Sequence, residues 1–341
     1  MAKVVSKAPT RVDLAGGTLD IRPLTYVLEH KATVNIGITL FAEVTIETRD
    51  QEFIIESLDQ GQKLEGPFDQ VMASNKLPLI RELLAAIWQR DWPALQITTK
   101  AGSPAGAGLG GSSCLAVAVA SALFRLRCKL TGRPEPDEAL LVRFVQDIEA
   151  RLIHCPTGCQ DYWGAVRGGL NLISFPPGDA AVETLRMQEL EWLQERILLC
   201  YSGVSRASGQ NNWDIFKRVF DRDSQLINRL NQIGKLAEDV THAVRQGKWQ
   251  DALDYSREEW MVRRALWPAI ETLETKNIDE ASRSAGAWFS RVCGAGGGGV
   301  MAIFCEPSLR GVVAEAAKSA GGQILEAKPT NEGLLINDNG A

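Results

Sequence analysis

The run Pro104-Ala105-Gly106-Ala107-Gly108-Leu109-Gly110-Gly111-Ser112-Ser113 places four glycines and two serines in ten residues, directly before the apolar stretch Cys114 to Leu130. Leu115, Val119, Ala122, Leu123, Leu126 and Leu130 recur there at helical spacing, and Leu95-Gln96-Ile97-Thr98-Thr99 upstream alternates like a strand. A glycine-rich loop feeding a helix start is suited to holding phosphate. The first helical amides lack intrahelical acceptors, the helix dipole adds positive potential, and glycine lets the backbone approach a bulky anion. No Lys precedes the serines, so the loop is not a Walker A sequence. A glycine-rich turn with serine as an ordinary N-cap fits the same letters.

Two carboxylates follow. Glu149 lies near the C-terminal end of a helix expected over about 137–153, opened by Pro136-Asp137, on a face otherwise made of Leu141, Val145 and Ile148. The helix dipole disfavours a carboxylate there, so Glu149 either faces solvent or has a task. Asp161 comes after the turn Cys155-Pro156-Thr157-Gly158, beside Tyr162-Trp163, an apolar pair able to desolvate it. A third polar group is Gly16-Gly17-Thr18-Leu19-Asp20, with Arg11 and Arg22 nearby. Its small residues make room for a polyol whose hydroxyls Asp20 would accept; taken in isolation, the stretch reads first as a strand-end turn with surface charges. His154, Cys155 and Cys159 supply three soft ligands without a fourth nearby and with one wrong spacing, so zinc is not expected.

These groups need a scaffold, and 341 residues are enough for two domains, each with its own core. Strands are expected over 4–14 (interrupted by Pro9, hence an edge or a bulge), 32–48, 53–57, 95–99, 168–175, 196–201, 300–304 and 323–327. Helices are expected over 79–88, 112–130, 137–153, 278–289 and 309–320, with broken helices from about 212 to 274. The turn Pro176-Pro177-Gly178-Asp179 marks the boundary between an N-terminal domain, 1–177, and a C-terminal one, 178–341. A second glycine run, Gly294 to Gly299, joins packed elements and implies close backbone approach. Seven of the nine Trp lie from Trp163 onward, at spacings that suit packing rather than a ligand cage.

Composition narrows the class. Hydrophobic residues make up 45% and charged residues 23%, as in ordinary globular proteins. With 42 acidic against 37 basic residues and no basic stripe, nucleic acid is not an expected partner. No uncharged apolar stretch of ~20 residues occurs, so no membrane span is expected. Seven scattered Cys and a start lacking an apolar signal region point to a cytoplasmic location.

Three motifs in this order resemble the GHMP kinase superfamily, named for galactokinase, homoserine kinase, mevalonate kinase and phosphomevalonate kinase. They are Ala8-Pro9-Thr10-Arg11 with Gly16-Gly17-x-x-Asp20, then Pro104-x-x-x-Gly108-Leu109-Gly110-x-Ser112-Ser113, then Gly294-Ala295-Gly296-Gly297-Gly298. The resemblance implies a two-domain α+β fold with the active site in the cleft between domains, ATP and Mg²⁺ as cofactors, and a small-molecule partner, with a homodimer as a candidate assembly. It implies that Pro104, Gly106 to Gly111, Ser112 and Ser113 bind the nucleotide and that Ser112, with Ser113 the alternative, and Glu149 hold Mg²⁺. Asp161 matches the catalytic base, and Arg11 the cation beside it. Within the superfamily, Arg11-Val12-Asp13-Leu14-Ala15-Gly16-Gly17 and Gly158-Cys159-Gln160-Asp161-Tyr162 are most similar to the heptose 7-phosphate kinase and fucokinase-like branch. Galactokinases carry Gly-Glu-His-Thr-Asp where this chain has Gly16-Gly17-Thr18-Leu19-Asp20, which points away from galactose.

Gly17, Thr18, Asp20, Arg22, Ser202, Gly203, Arg206, Gly296 and Gly297 are the expected substrate contacts. Arg22 and Arg206 are candidate phosphate ligands if the acceptor is itself phosphorylated. The implied activity is phosphoryl transfer from Mg-ATP to a sugar or sugar-phosphate hydroxyl, such as the anomeric one of a heptose 7-phosphate. The competing readings are a mevalonate- or homoserine-type kinase and a non-catalytic sensor that binds ATP and sugar.

Overall fold

The computed structural model describes residues 2–186, 190–205 and 210–338. Seven strands open the larger of two sheets: β1 (Lys3–Ala15), β2 (Ala32–Arg49), β3 (Phe53–Ser57), β4 (Gln62–Gly66), β5 (Ala94–Ala101), β6 (Leu170–Ser174) and β7 (Ala181–Leu185). The second sheet takes β8 (Ile197–Tyr201), β9 (Phe289–Val292), β10 (Val300–Phe304) and β11 (Gln323–Leu325). The chain then returns β12 (Leu335–Asn337) to the larger sheet beside β1. The helices are α1 (Arg22–Val27), α2 (Phe68–Met72), α3 (Pro78–Ile87), α4 (Gly111–Thr131), α5 (Glu138–Ile153), α6 (Gln160–Arg167) and α7 (Glu191–Gln194). After them come α8 (Gln210–Phe220), α9 (Ser224–Arg245), α10 (Trp249–Arg263), α11 (Leu273–Ser284) and α12 (Arg310–Ser319).

The larger sheet runs β12-β1-β2-β5-β3-β4, with β6 pairing along the start of β2 and β7 pairing with β6. β7 lies beyond residue 177, and β12 beyond it again, yet both belong to this sheet. Pro9 sits at a register shift between Pro9 and Thr10, where a missing amide costs no ladder bond. The second sheet has the order β11-β8-β10-β9, so each crossover skips one strand, a split β-α-β arrangement.

α4 explains most of the larger core. Every residue from Ser113 to Phe124 is buried, so the helix is apolar all round and packs on β1, β2, α3 and α5. Asp137 caps α5 by accepting from the Leu140 amide at 2.7 Å, as its position before the helix predicts. Two expectations change. Thr272 caps α11 eleven residues before Arg283, so the helix expected over 278–289 starts earlier and ends at Ser284; the chain turns at Gly286, and Phe289 opens β9. The serines expected to cap α4 lie inside its first turn, because Gly110 occupies the N-cap position in the left-handed region, φ +73. Trp192 stacks between Trp249 and Trp288, the packing role expected of the tryptophans, while Trp213 is exposed. Among the described residues no helix is long and apolar enough to cross a membrane.

Candidate active site

A cavity of about 790 Å³ opens along the glycine loop, and the loop, β1, α5, α6 and the second glycine run all reach it. Gly110 lets the chain turn sharply into α4, which leaves the early amides of that helix facing the cavity without side-chain caps. Pro104, Gly106, Ala107, Gly108, Gly111, Ser112 and Ser113 also line it, whereas Leu109 is buried and gives its carbonyl to the Arg11 amide at 3.1 Å.

Arg11 on β1 ties the loop to Asp161. Its Nη1 donates to the Gly108 carbonyl at 2.7 Å, while Nε and Nη2 meet Asp161 Oδ1 at 2.7 and 2.6 Å. The Arg11 side chain is 4% exposed and that of Asp161 26%. Burial works against the guanidinium's charge, but Asp161 and Asp13 outweigh it and raise its pKa further. Asp161 sits in the first turn of α6, where the helix dipole favours a carboxylate. The neighbouring aromatics do not desolvate it as expected. Trp163 is buried in the core, and Tyr162 donates its hydroxyl to Glu149 instead.

Glu149 faces inward. Its Oε2 accepts from Ser113 Oγ at 2.8 Å and Tyr162 Oη at 2.7 Å, and the Ser112 hydroxyl also reaches the carboxylate. Burial pushes its pKa up despite these bonds. No ion pair to Glu149 exists among the described residues, so a buried carboxylate with hard hydroxyl neighbours stands without a compensating cation. That donor set fits Mg²⁺, which takes one or two carboxylates and completes its shell with water and substrate phosphate. Among the described residues no cluster of three or more His, Cys, Asp or Glu could hold a metal by itself.

Asp20 joins the same cavity with Thr18. Its Oδ2 accepts from the Gln160 amide at 2.9 Å, and a Cβ on Gly158 would stand 2.0 Å from that oxygen, which is why glycine is needed there. Burial raises the Asp20 pKa to about 6.

Other expected contacts lie elsewhere. Gly17 faces Arg263 and Gln160 rather than the cavity. Arg22 opens onto a separate pocket of about 430 Å³, where it and Arg143 meet Asp179. Ser202 is buried and donates to the Gly299 carbonyl at 2.8 Å; Gly203 is exposed. Gly294 and Ala295 line the cavity, but Gly297 donates to Ile270 and Gly299 to Val204, so the close approach of the second run is to protein backbone. Arg206 lies outside the described residues.

Residues 78–169, the segment that carries the glycine loop, Glu149 and Asp161, match the family model described as the GHMP kinases N terminal domain. This segment is a GHMP kinase N-terminal domain. The chain is thus a phosphotransferase with an alcohol acceptor, of a family that uses ATP. The chain is 23% identical over 345 residues to the D-glycero-alpha-D-manno-heptose 7-phosphate kinase of Campylobacter jejuni, covering 98% of both chains. It is 29% identical over 321 residues to the bifunctional fucokinase/GDP-fucose pyrophosphorylase of Arabidopsis thaliana, covering 87% of this chain but 29% of that much longer protein. Its fold superposes with a TM-score of 0.78 on a crystal structure of a D-glycero-D-manno-heptose 1-phosphate kinase from Bacteroides thetaiotaomicron, at 22% identity and covering 99% and 100% of the two chains.

Two features of this GHMP kinase site escape a reading of the letters. Tyr162 supports Glu149, a contact hidden because residues 149 and 162 lie on different helices, α5 and α6. The far end of the cavity is apolar, lined by Leu77, Leu79, Ile80, Leu152 and Ile153, and draws on α3, whose amphipathic pattern shows only a packing face.

Proposed function

We propose that this protein transfers the γ-phosphoryl group of ATP to a hydroxyl of a sugar or sugar phosphate, with the anomeric hydroxyl of a heptose 7-phosphate as the leading candidate. The observation that carries the proposal is the Arg11–Asp161 pair standing beside the glycine loop and the Ser113–Glu149 bond. The chain divides for this purpose into a nucleotide-binding part, 1–177 with β7 and β12 added to its sheet, and a second part, the rest of 178–341, that closes the cavity with Gly294 and Ala295.

The amides of 106–113 cradle the β- and γ-phosphates, and the apolar end of the cavity takes the base. Ser112, Ser113 and Glu149 would hold Mg²⁺, which supplies neutralisation of phosphate charge. Asp161 accepts the proton of the attacking hydroxyl as its oxygen bonds to the γ-phosphorus and the bond to the β-phosphate oxygen breaks, releasing ADP. Arg11, fixed by Gly108, pairs with Asp161 and orients it, and faces the charge that develops on the transferred group. Asp20 accepts a second acceptor hydroxyl and orients the ring. The polar acceptor end, with Thr18, Asp20 and Gln160, supports a sugar over an isoprenoid.

ADP release from Mg-ATP, measured with heptose 7-phosphates, fucose, mannose, galactose, mevalonate and homoserine, tests this. Turnover on a sugar, followed by NMR of the product, fixes the hydroxyl attacked. Turnover on mevalonate or homoserine alone would overturn the sugar assignment, and ATP binding with no turnover on any acceptor would favour a sensor.

A further inference from the structure

A second constellation of charges lies behind the acceptor end and plays no part in the chemistry above. On α10, Glu259 and Arg263 are four residues apart with side chains 0% and 3% exposed. Glu259 Oε1 accepts from Arg263 Nε at 2.9 Å and Nη2 at 2.6 Å, and also from the Gly16 amide at 3.1 Å. Arg263 Nη2 donates to the Gly17 carbonyl at 2.7 Å, and Nη1 stands 3.5 Å from Thr18 Oγ1. Thr33 completes the grip by donating to the Gly16 carbonyl at 3.0 Å.

The other oxygen of Glu259 faces Arg291 at 3.1 Å; Arg291 faces Asp13 at 3.4 Å, and Asp13 accepts from the Gly294 amide at 2.8 Å. Two carboxylates and two guanidiniums thus form a buried chain that reaches both the 16–18 turn and the second glycine run, with Arg11 a further 4.0 Å from Asp13. Well-packed apolar side chains usually stabilise a fold as well as such a network does, so stability alone does not account for it.

The backbone of the turn supplies an account. Thr18 has φ +77, a conformation that a β-branched residue rarely adopts, and it lines the cavity beside Asp20. Strain of this kind persists where the surroundings over-determine it. We propose that Glu259 and Arg263 are positioning residues that hold the Gly16–Thr18 turn in this strained form, and so set Thr18 and Asp20 in place for the acceptor. What the turn faces rests on the kinase reading above; the grip on the turn does not.

The test combines Arg263→Met with Thr18→Gly, which occupies φ +77 without penalty, and with Thr18→Ala, which keeps the Cβ penalty. Arg263→Met is expected to lower Tm by several degrees. Thr18→Gly should recover most of that loss and Thr18→Ala none of it. Equal, additive losses in both double variants would overturn the proposal. Arg263→Lys, which keeps the charge but not the planar fork, should raise the acceptor KM about 10-fold while the ATP dissociation constant stays within about twofold. A folded Arg263→Lys protein with unchanged acceptor KM, or with both constants raised together, would also overturn it. Heptose 7-phosphate and fucose serve as the acceptor probes. Silence of the unsubstituted protein on both counts against the substrate class, and the Thr18 comparison by Tm then decides the positioning by itself.

Discussion

At the glycine-loop end of the cavity the chain works mostly with contiguous parts, a loop and the first turn of the helix it feeds, with Arg11, 97 residues from Gly108 in the chain, bonding the loop's own carbonyl. At the acceptor end the turn at 16–18 is held by residues some 240 positions later in the chain, through side chains that are completely enclosed. Asp161 beside the loop is partly exposed, whereas the charges behind the 16–18 turn are buried. A transferable group common to many substrates needs backbone amides at fixed spacing. A specific sugar needs carboxylates and hydroxyls held to a fraction of an ångström, and that demands support from behind.

The sharpest way to break this contrast is Asp161→Asn, which should lower kcat about 10²- to 10⁴-fold while ATP affinity changes by no more than a few-fold. Near-normal turnover in a steady-state assay would take the proton-accepting role away from Asp161. Arg291→Met attacks the opposite end. It leaves Asp13 and Glu259 with less compensation and should cost about 3–5 kcal/mol in urea unfolding, because a lone buried charge is far more expensive than a pair. A loss below about 1 kcal/mol would mean that solvent reaches the network after all.

Tyr162→Phe sharpens the comparison at the phosphate end. Removing the hydroxyl that orients Glu149 should raise the Mg²⁺ concentration for half-maximal turnover about 10- to 100-fold, with little change in acceptor KM. The smallest effect is in pH. Asp20 must be ionised to accept a hydroxyl, so with its pKa raised to about 6 by burial the acceptor KM should rise below that pH, reaching about 10-fold by pH 5. Stability should move the other way. The folded state binds more protons at Asp20 than the unfolded chain between about pH 4 and 6, so this residue's contribution to stability falls as pH rises through that window and is level above it. A pH profile of acceptor KM unchanged by Asp20→Asn would assign the limb to another group.

The same contrast explains what could be read from the letters. Strand, loop and helix around residues 95–130 are contiguous, so their alternating and helical patterns state the geometry directly. Glu149 is legible as a carboxylate misplaced at a helix end. Glu259 and Arg263 are not, because a Glu–Arg pair four apart reads as an ordinary solvated helix face. Their burial is imposed by β1 and β9, which nothing near residue 260 announces. Arg22 misleads for the complementary reason: it follows the acceptor turn in sequence, yet α1 carries it away to Asp179.

β12 has a consequence for how the molecule is made. Residues 335–337 pair with residues 5–7, so β1 finds this neighbour only after all the other strands have been made. Asp13 likewise waits for Arg291 and Gly294. During synthesis the nascent β1 can settle against β2 but carries a bare edge and a carboxylate with Arg11 as its one basic neighbour on that strand, a state exposed to strand-to-strand association with other nascent chains. Slow synthesis of the second half of the chain, or loss of β12, should therefore show first as aggregation rather than as weakened catalysis.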